Sequence, residues 1–298
     1  MTASYVLTQV MNGLILGSMY ALVAIGFSMI YGIVRLINFA HGDIMTIGAF
    51  VTLACVASGY ISFPVAVVVV LIAGGALGML VERIAFRPMR GAPQVTGFIA
   101  SLAVAVFLEN LGLMTVSAQP RNFLVPDYLQ TILHIGSQSI RVIDLGIVIL
   151  SIVLMAVLAL FVRFTRAGIA MRATAENLDV ARLMGIRIDR IILMAFAIGS
   201  ALAAISGMMY GSKYGQINPL MGLAPGLKAF VAAVIGGVGS ITGAMLGGYV
   251  LGLAEVLFVG LLPPEYSGYR NAFVFATLII ILLFMPNGLL GRSTEERA

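Results

Sequence analysis

Few residues in this chain could do chemistry, and most of them lie within apolar sequence. His41 and Asp43 stand two apart beside Asn38, at the head of an apolar run. A hydrolase would need a Ser or Cys nucleophile placed against them, and none is visibly so placed. A proton relay fits better, because an ionisable group at membrane depth marks a transport pathway by default. The plainer alternative is a helix start in which Asn38 or Asp43 caps free amide groups. Glu109 and Glu255 also fall within apolar runs. Glu109 is near enough to the end of its run to reach water. Glu255 is deeper and could bond Lys228 or a polar helix face across a bundle.

Other chemistries are excluded by spacing. The run Gly236 to Gly243 contains Gly-x-Gly-x-x-x-Gly, which is not the dinucleotide fingerprint, and no βαβ pattern surrounds it. Neither Lys213 nor Lys228 closes a Gly-x-x-x-x-Gly-Lys loop, so the chain does not bind ATP by that route. A single cysteine, Cys55, allows no disulfide framework and gives no metal-ligand spacing.

The elements that must position these residues are apolar. Of 298 residues 61% are hydrophobic and 10% charged, with a mean hydropathy of +1.09. No water-soluble domain of this size can hide so much apolar surface, so the expected class is an all-α polytopic membrane protein, one transmembrane domain over 1–298. The net charge of +5 is concentrated in a few loops, which suits membrane orientation rather than nucleic-acid binding. The first ten residues lack the basic start and small-residue cleavage site of a signal peptide. Trp is absent, which leaves Tyr20, Tyr31, Tyr60, Tyr210, Tyr249 and Tyr269 as candidate interfacial aromatics.

No charge occurs from Thr2 to Val34, and Gly13 and Gly17 within that first span form a small-xxx-small surface that lets another helix come close. Further spans are expected to Ser58, over Ile61–Val81, Gln94–Val116, Ile143–Phe161 and Ile191–Tyr210. The loop after Val81 carries Arg83, Arg87 and Arg90 against Glu82 and is placed inside. The charge-balanced, Pro-containing stretch Ser117–Asp144 is placed outside. From Gly211 to Gly260 the texture turns Gly-rich, with Pro219 and Pro225. It predicts a half-helix from about Leu227, a break at Gly236 to Gly239, and a span to about Leu262, because non-helical backbone at membrane depth survives only against protein or a water-filled cavity. Pro263 and Pro264 make an outer turn, a last span starts at Asn271, and the tail with Arg292 and Arg297 ends inside. The expectation is about eight spans and a partial one, with the N-terminus outside. Gly32–Val51 and Gly226–Val250 echo one another as polar, Gly-containing breaks ahead of apolar runs, a pattern that can mark a transport site between repeats.

One island breaks the apolar texture. Arg163 to Arg190 holds six arginines against Glu176, Asp179 and Asp189, and such a segment cannot sit in lipid. Ala175 to Gly185 reads as a short helix with Asn177 as N-cap, Asp179 at the positive end of the dipole and Gly185 as a left-handed stop. Two turns, roughly 10 Å long, would align Val180, Leu183 and Met184 as a knob for another protein to grip.

The order Arg172 to Ile186 resembles the cytoplasmic coupling loop of ABC importer permeases of the branched-chain amino-acid type. Asn12-Gly13-Leu14, Ile37-Asn38-Phe39-Ala40-His41-Gly42-Asp43, Glu82-Arg83, Gly226-Leu227-Lys228-Ala229-Phe230, Val234 to Gly239 and Pro286-Asn287-Gly288-Leu289 are similar to that family in the same order. The resemblance implies a permease subunit for branched-chain or other hydrophobic amino acids in a bacterial inner membrane. It implies a second, related permease chain, two ATPase chains that carry ATP and Mg, and an outer binding protein, with no cofactor in this chain. It makes Glu176, Asn177, Asp179, Val180, Ala181, Leu183, Met184 and Gly185 the coupling residues, although Glu176-Asn177-Leu178 departs from the Glu-Ala-Ala form general to ABC importers. Asn38, Phe39, His41, Gly42 and Asp43, together with the bare backbone of Gly236, Gly237 and Gly239, are the candidates for lining the route. A permease for urea or short amides shares this pattern, and a proton-driven transporter acting through His41, Asp43 and Glu255 is the alternative from another class.

Overall fold

A computed structural model describes residues 3–135 and 138–291, so Arg292 and Arg297 of the tail lie outside the described residues. Helices dominate. They are α1 (Ala3–Val34), α2 (His41–Ala57), α3 (Phe63–Val81), α4 (Gln94–Val116), α5 (Asp127–Gln130), α6 (Val142–Phe164), α7 (Arg166–Glu176), α8 (Leu178–Leu183), α9 (Ile188–Tyr214), α10 (Leu223–Gly236), α11 (Ile241–Leu261) and α12 (Arg270–Phe284). Among the described residues seven are long and apolar enough to cross a bilayer, and α2 and α10 are shorter apolar helices of 17 and 14 residues. The protein is thus a multi-pass, all-α membrane protein. The expected eight spans and a partial one correspond to these seven, with α2 as the eighth and α10 as the half-helix.

Burial orders the bundle. The apolar stretch of α1 is 94% buried and that of the last span, Glu265–Phe284, which ends in α12, only 6%, so α1 is the central post and the last span lies at the periphery. A helix can be surrounded on all sides only if its neighbours come close, and small residues permit that. A methyl group added at Gly13 would stand 3.0 Å from Leu253 Cα, and one at Gly17 2.9 Å from Tyr249 Cα. The small-xxx-small face therefore receives α11. On the other side α9 is held against α3 through Gly74 and Gly78, and against α2 through Gly48 and Gly207. Ser206 Oγ, donating to the Met19 carbonyl at 3.0 Å, ties α9 to the post.

Contacts between loops sort the helix ends into two faces. On one, Arg87 after α3 meets Asp189 of α9 at 3.3 Å, Arg90 pairs with Glu82 and Asp189, and Gly239 approaches Gly32 at the end of α1. This is the arginine-rich face. At the opposite end strand β1 (Arg121–Asn122) pairs with a short strand, Gln216–Ile217, after α9, and Tyr5 donates to the Gly260 carbonyl at 2.7 Å. The sorting matches the alternation read from the charges. Within the polar stretch 117–144 a second ribbon joins Ile132–Ile135 to Gln138–Arg141.

Tyr20 is corrected. It is not an interfacial anchor: it is 4% exposed and donates to Glu255 Oε2 at 2.9 Å.

Candidate functional site

The first break is built by Arg35, whose φ of +54° stops α1. The chain then turns back through Asn38 and restarts as α2 inside the bundle, where His41 lies against Gly26 of α1 and the Phe27 ring (4.7 Å between centroids). Phe39 packs edge-on to Phe98 at 5.1 Å and faces Phe230 of α10 at 6.2 Å. The capping expectation is corrected here. The N-cap position of α2 is Ala40, and no side chain caps the helix.

Asn38, His41 and Asp43 are 1%, 0% and 4% exposed. The Asn38 amide and Asp43 Oδ1 make no hydrogen bond among the described residues, and the His41 imidazole, whose ring nitrogens lack a close side-chain partner, has only the Val23 backbone beside it. Each such buried group costs about 1–3 kcal/mol when left unsatisfied. Three within six residues are therefore not explained by stability.

Helix α10 begins against this point. Gly42 approaches Gly226 Cα and the Gly222 carbonyl so closely that no side chain fits at Gly42, Gly222 or Gly226. Two interrupted helices thus meet by their N-terminal ends, the positive ends of their dipoles. From the meeting point α2 runs to the outer face and α10 to the arginine face. Interrupted helices meeting inside a bundle form the substrate sites of many transporters.

The second break sits where it is expected, with φ +103° at Gly237 and +89° at Gly239, but the expectation of bare backbone there is corrected. The carbonyls of Ile235 and Gly236 accept from the Leu289 and Leu290 amides (2.8 and 3.0 Å), and the Gly239 amide donates to Ser28 Oγ at 2.9 Å. Gly236, Gly237 and Gly239 form a joint on the arginine face, clamped by the chain after α12, and their backbone is not bare. The partner of the Asn38–Asp43 break is the start of α10, about 21 Å of helix away.

Beyond the arginine face, Thr165 caps α7 by accepting from the Gly168 amide at 3.0 Å. Asn177 ends α7 and caps α8, its Oδ1 accepting from the Asp179 and Val180 amides at 3.0 Å each. Gly185 closes the turn at φ +81°. Glu176, Asn177 and Asp179 are exposed, and Val180, Leu183 and Met184 project at 53%, 87% and 78% exposure. Ala181, at 2% exposure, is the buried foot of the knob.

A charged cluster lies in the outer half of the bundle. Glu255 accepts from Lys228 of α10 at 2.7 Å, as its position suggests, and also from Tyr20 of α1, with Arg270 Nε of α12 at 2.5 Å. Reading the sequence misses Arg270, whose place just after the Pro263-Pro264 turn looks water-facing. Among the described residues no three His, Cys, Asp or Glu side chains converge as metal ligands would.

Interrupted helices meeting inside a multi-pass bundle are an arrangement found in transporters, and here an exposed apolar knob lies beyond the arginine face. Over residues 9–282 the chain matches the model of the branched-chain amino acid transport system permease component, and it belongs to that family. It is 40% identical, over 98% of both chains, to the high-affinity branched-chain amino acid transport system permease protein LivH of Escherichia coli K12. It is 38% identical, over 98% of this chain and 97% of the relative, to BraD of Pseudomonas aeruginosa, which bears the same description. No solved structure matches the chain.

Proposed function

We propose that this chain is a permease subunit of an ATP-driven importer for branched-chain amino acids, carrying no ATP site of its own. The observation that carries the reading is similarity over the full length to permeases named for that transport, at 40% identity. In this reading the complex holds two ATPase subunits, and one of them receives the α8 knob through Val180, Leu183 and Met184. A second, related permease completes the pathway, and an outer binding protein delivers the amino acid at a bacterial inner membrane.

The chain's own geometry supplies a lever. Met184 and Gly185 are followed within a few residues by α9, a 27-residue helix packed on α1, α2 and α3. Displacement of the knob would move α9 against Gly48 and Gly26, and so shift the place where α2 meets α10. Asn38, Phe39, His41, Gly42 and Asp43 are there to line the route, and the unpartnered groups of Asn38, His41 and Asp43 would bond the passing zwitterion. The same groups offer a proton path too, but a lever ending in an exposed apolar knob serves only a driven complex. Uptake of labelled leucine into proteoliposomes tests the reading, with and without ATPase, second permease, binding protein and ATP.

A further inference from the structure

Toward the outer face the bundle forms a half-open cavity of about 360 Å³ between α1, α9, α11 and α12. Its volume is that of a small-molecule site, and its wall is divided. Asn12, Lys213, Tyr214 and Arg270 form a polar side, and Leu16 and Val259 belong to an apolar one.

The polar side carries more positive charge than its acids neutralise. Glu255 is shared by Lys228 (2.7 Å) and Arg270 (2.5 Å), and Asp144 is shared by Arg141 (3.1 Å) and Lys213 (3.0 Å). Each cluster therefore has two cations on one carboxylate, a formal charge of +1. Both clusters reach the same cavity, and they do so by their cations. Arg270 and Lys213 line it with side chains 38% and 19% exposed, while Glu255 and Asp144 lie behind them at 0% and 9%. Asn12 Oδ1 accepts from Lys213 at 3.4 Å, which leaves its amide hydrogens free to donate. An anion is the missing partner, and the apolar wall selects one with an aliphatic tail.

We propose that this cavity is an entry subsite for an aliphatic amino acid, with Arg270 and Lys213 holding its carboxylate and Leu16 and Val259 flanking its side chain. The proposal rests on the import reading for the direction of entry. A guanidinium suits a carboxylate because its planar fork can present two parallel N–H donors. Occupancy would draw Arg270 off Glu255 and leave the Lys228 pair, so the bundle would stay intact while the ligand is bound.

The test uses the assembled importer in right-side-out proteoliposomes. Val259→Cys is introduced with Cys55→Ser, and its alkylation by an impermeant thiosulfonate is timed. Leucine is expected to slow the reaction severalfold and leucinol, which lacks the carboxylate, to leave it unchanged. Arg270→Gln should abolish the protection and Arg270→Lys should keep part of it. Equal protection by leucine and leucinol, or none, would overturn the proposal, as would a cysteine that no reagent reaches. Slowing that depends on phosphatidylglycerol in the vesicles and not on leucine would assign the anion site to a lipid headgroup and overturn the amino-acid subsite. ATP-driven leucine uptake by the unlabelled parent is measured in parallel. Intact uptake without protection removes only the subsite, whereas absent uptake removes the transport reading beneath it.

Discussion

Replacing Glu255 by Leu should be among the most destabilising single changes available in this bundle. Glu255 is fully buried and is the one acid of its cluster, facing Lys228, Arg270 and the Tyr20 hydroxyl. Removing it leaves Lys228, whose side chain is 11% exposed, as a charge in an apolar setting. Breaking a buried pair from one side costs about 3–5 kcal/mol. Arg270 adds little to that sum, because a side chain 38% exposed is screened by water. Lys228→Met should cost only about 1–2 kcal/mol, since Glu255 keeps Arg270 and Tyr20 and the Met stem fills the Lys path. The pair Glu255→Leu with Lys228→Met should recover about 1–3 kcal/mol relative to the sum of the single changes, because the orphaned charge has gone. Reversible unfolding in mixed micelles reads all three. A Glu255→Leu protein within about 1 kcal/mol of the parent, or strict additivity in the double variant, would refute the buried-charge argument.

Three further outcomes are expected. Leu183→Glu, and separately Gly185→Pro, which cannot hold a φ of +81°, should leave the protein inserted and abolish both uptake and transport-coupled ATP hydrolysis; unchanged uptake would remove α8 as the coupling element. His41→Ala should cut uptake by about tenfold or more while stability stays within about 1 kcal/mol, because the lost packing is offset by removal of a buried ring whose polar atoms are poorly satisfied; paired transport and unfolding measurements separate this from simple damage. Gly207→Ala drives a methyl group into the Met45 carbonyl and should cost about 1–3 kcal/mol. By contrast Gly146→Ala, with nothing within 4 Å, should be neutral or stabilising by up to about 1 kcal/mol, and equal thermal shifts for the two would contradict the packing of α2 on α9.

Features set by local backbone chemistry were legible in the sequence. Asn177 as a cap and Gly185 as a left-handed stop depend on a few adjacent residues, and so does the break at Gly237 and Gly239. Gly13 and Gly17 announce a close helix contact, but nothing local names α11 as the partner, since that choice depends on Gly248 and Gly252 facing them. Helix α7 escapes notice because Arg166–Glu176 is short and polar in composition, and its buried stripe is Gly168, Met171 and Thr174 rather than a row of large apolar residues; Thr165 ahead of it was the available signal. The meeting of α2 with α10 is a fact of three dimensions. Its trace in sequence is the echo between Gly32–Val51 and Gly226–Val250, but that Gly42 touches Gly222 and Gly226 emerges only when the two helix ends are brought together. That Ala181 is the buried foot of an otherwise exposed helix likewise depends on what α8 packs against rather than on residue type. Residue type alone pointed to Asn38, His41 and Asp43, which are buried, whereas the hydrogen bonds that occupy the backbone around Gly236 to Gly239 come from the distant Leu289, Leu290 and Ser28 and left no local trace.

The central claim is that transport by this chain is driven through a partner at α8. The most direct measurement is accumulation of labelled leucine in proteoliposomes, first with this chain alone under a pH gradient and then with the ATPase, the second permease, the binding protein and ATP. The account predicts no accumulation in the first case and ATP-dependent accumulation in the second, lost again in Leu183→Glu. Accumulation by the chain alone, following the pH gradient, would contradict it and make His41 and Asp43 the driving site.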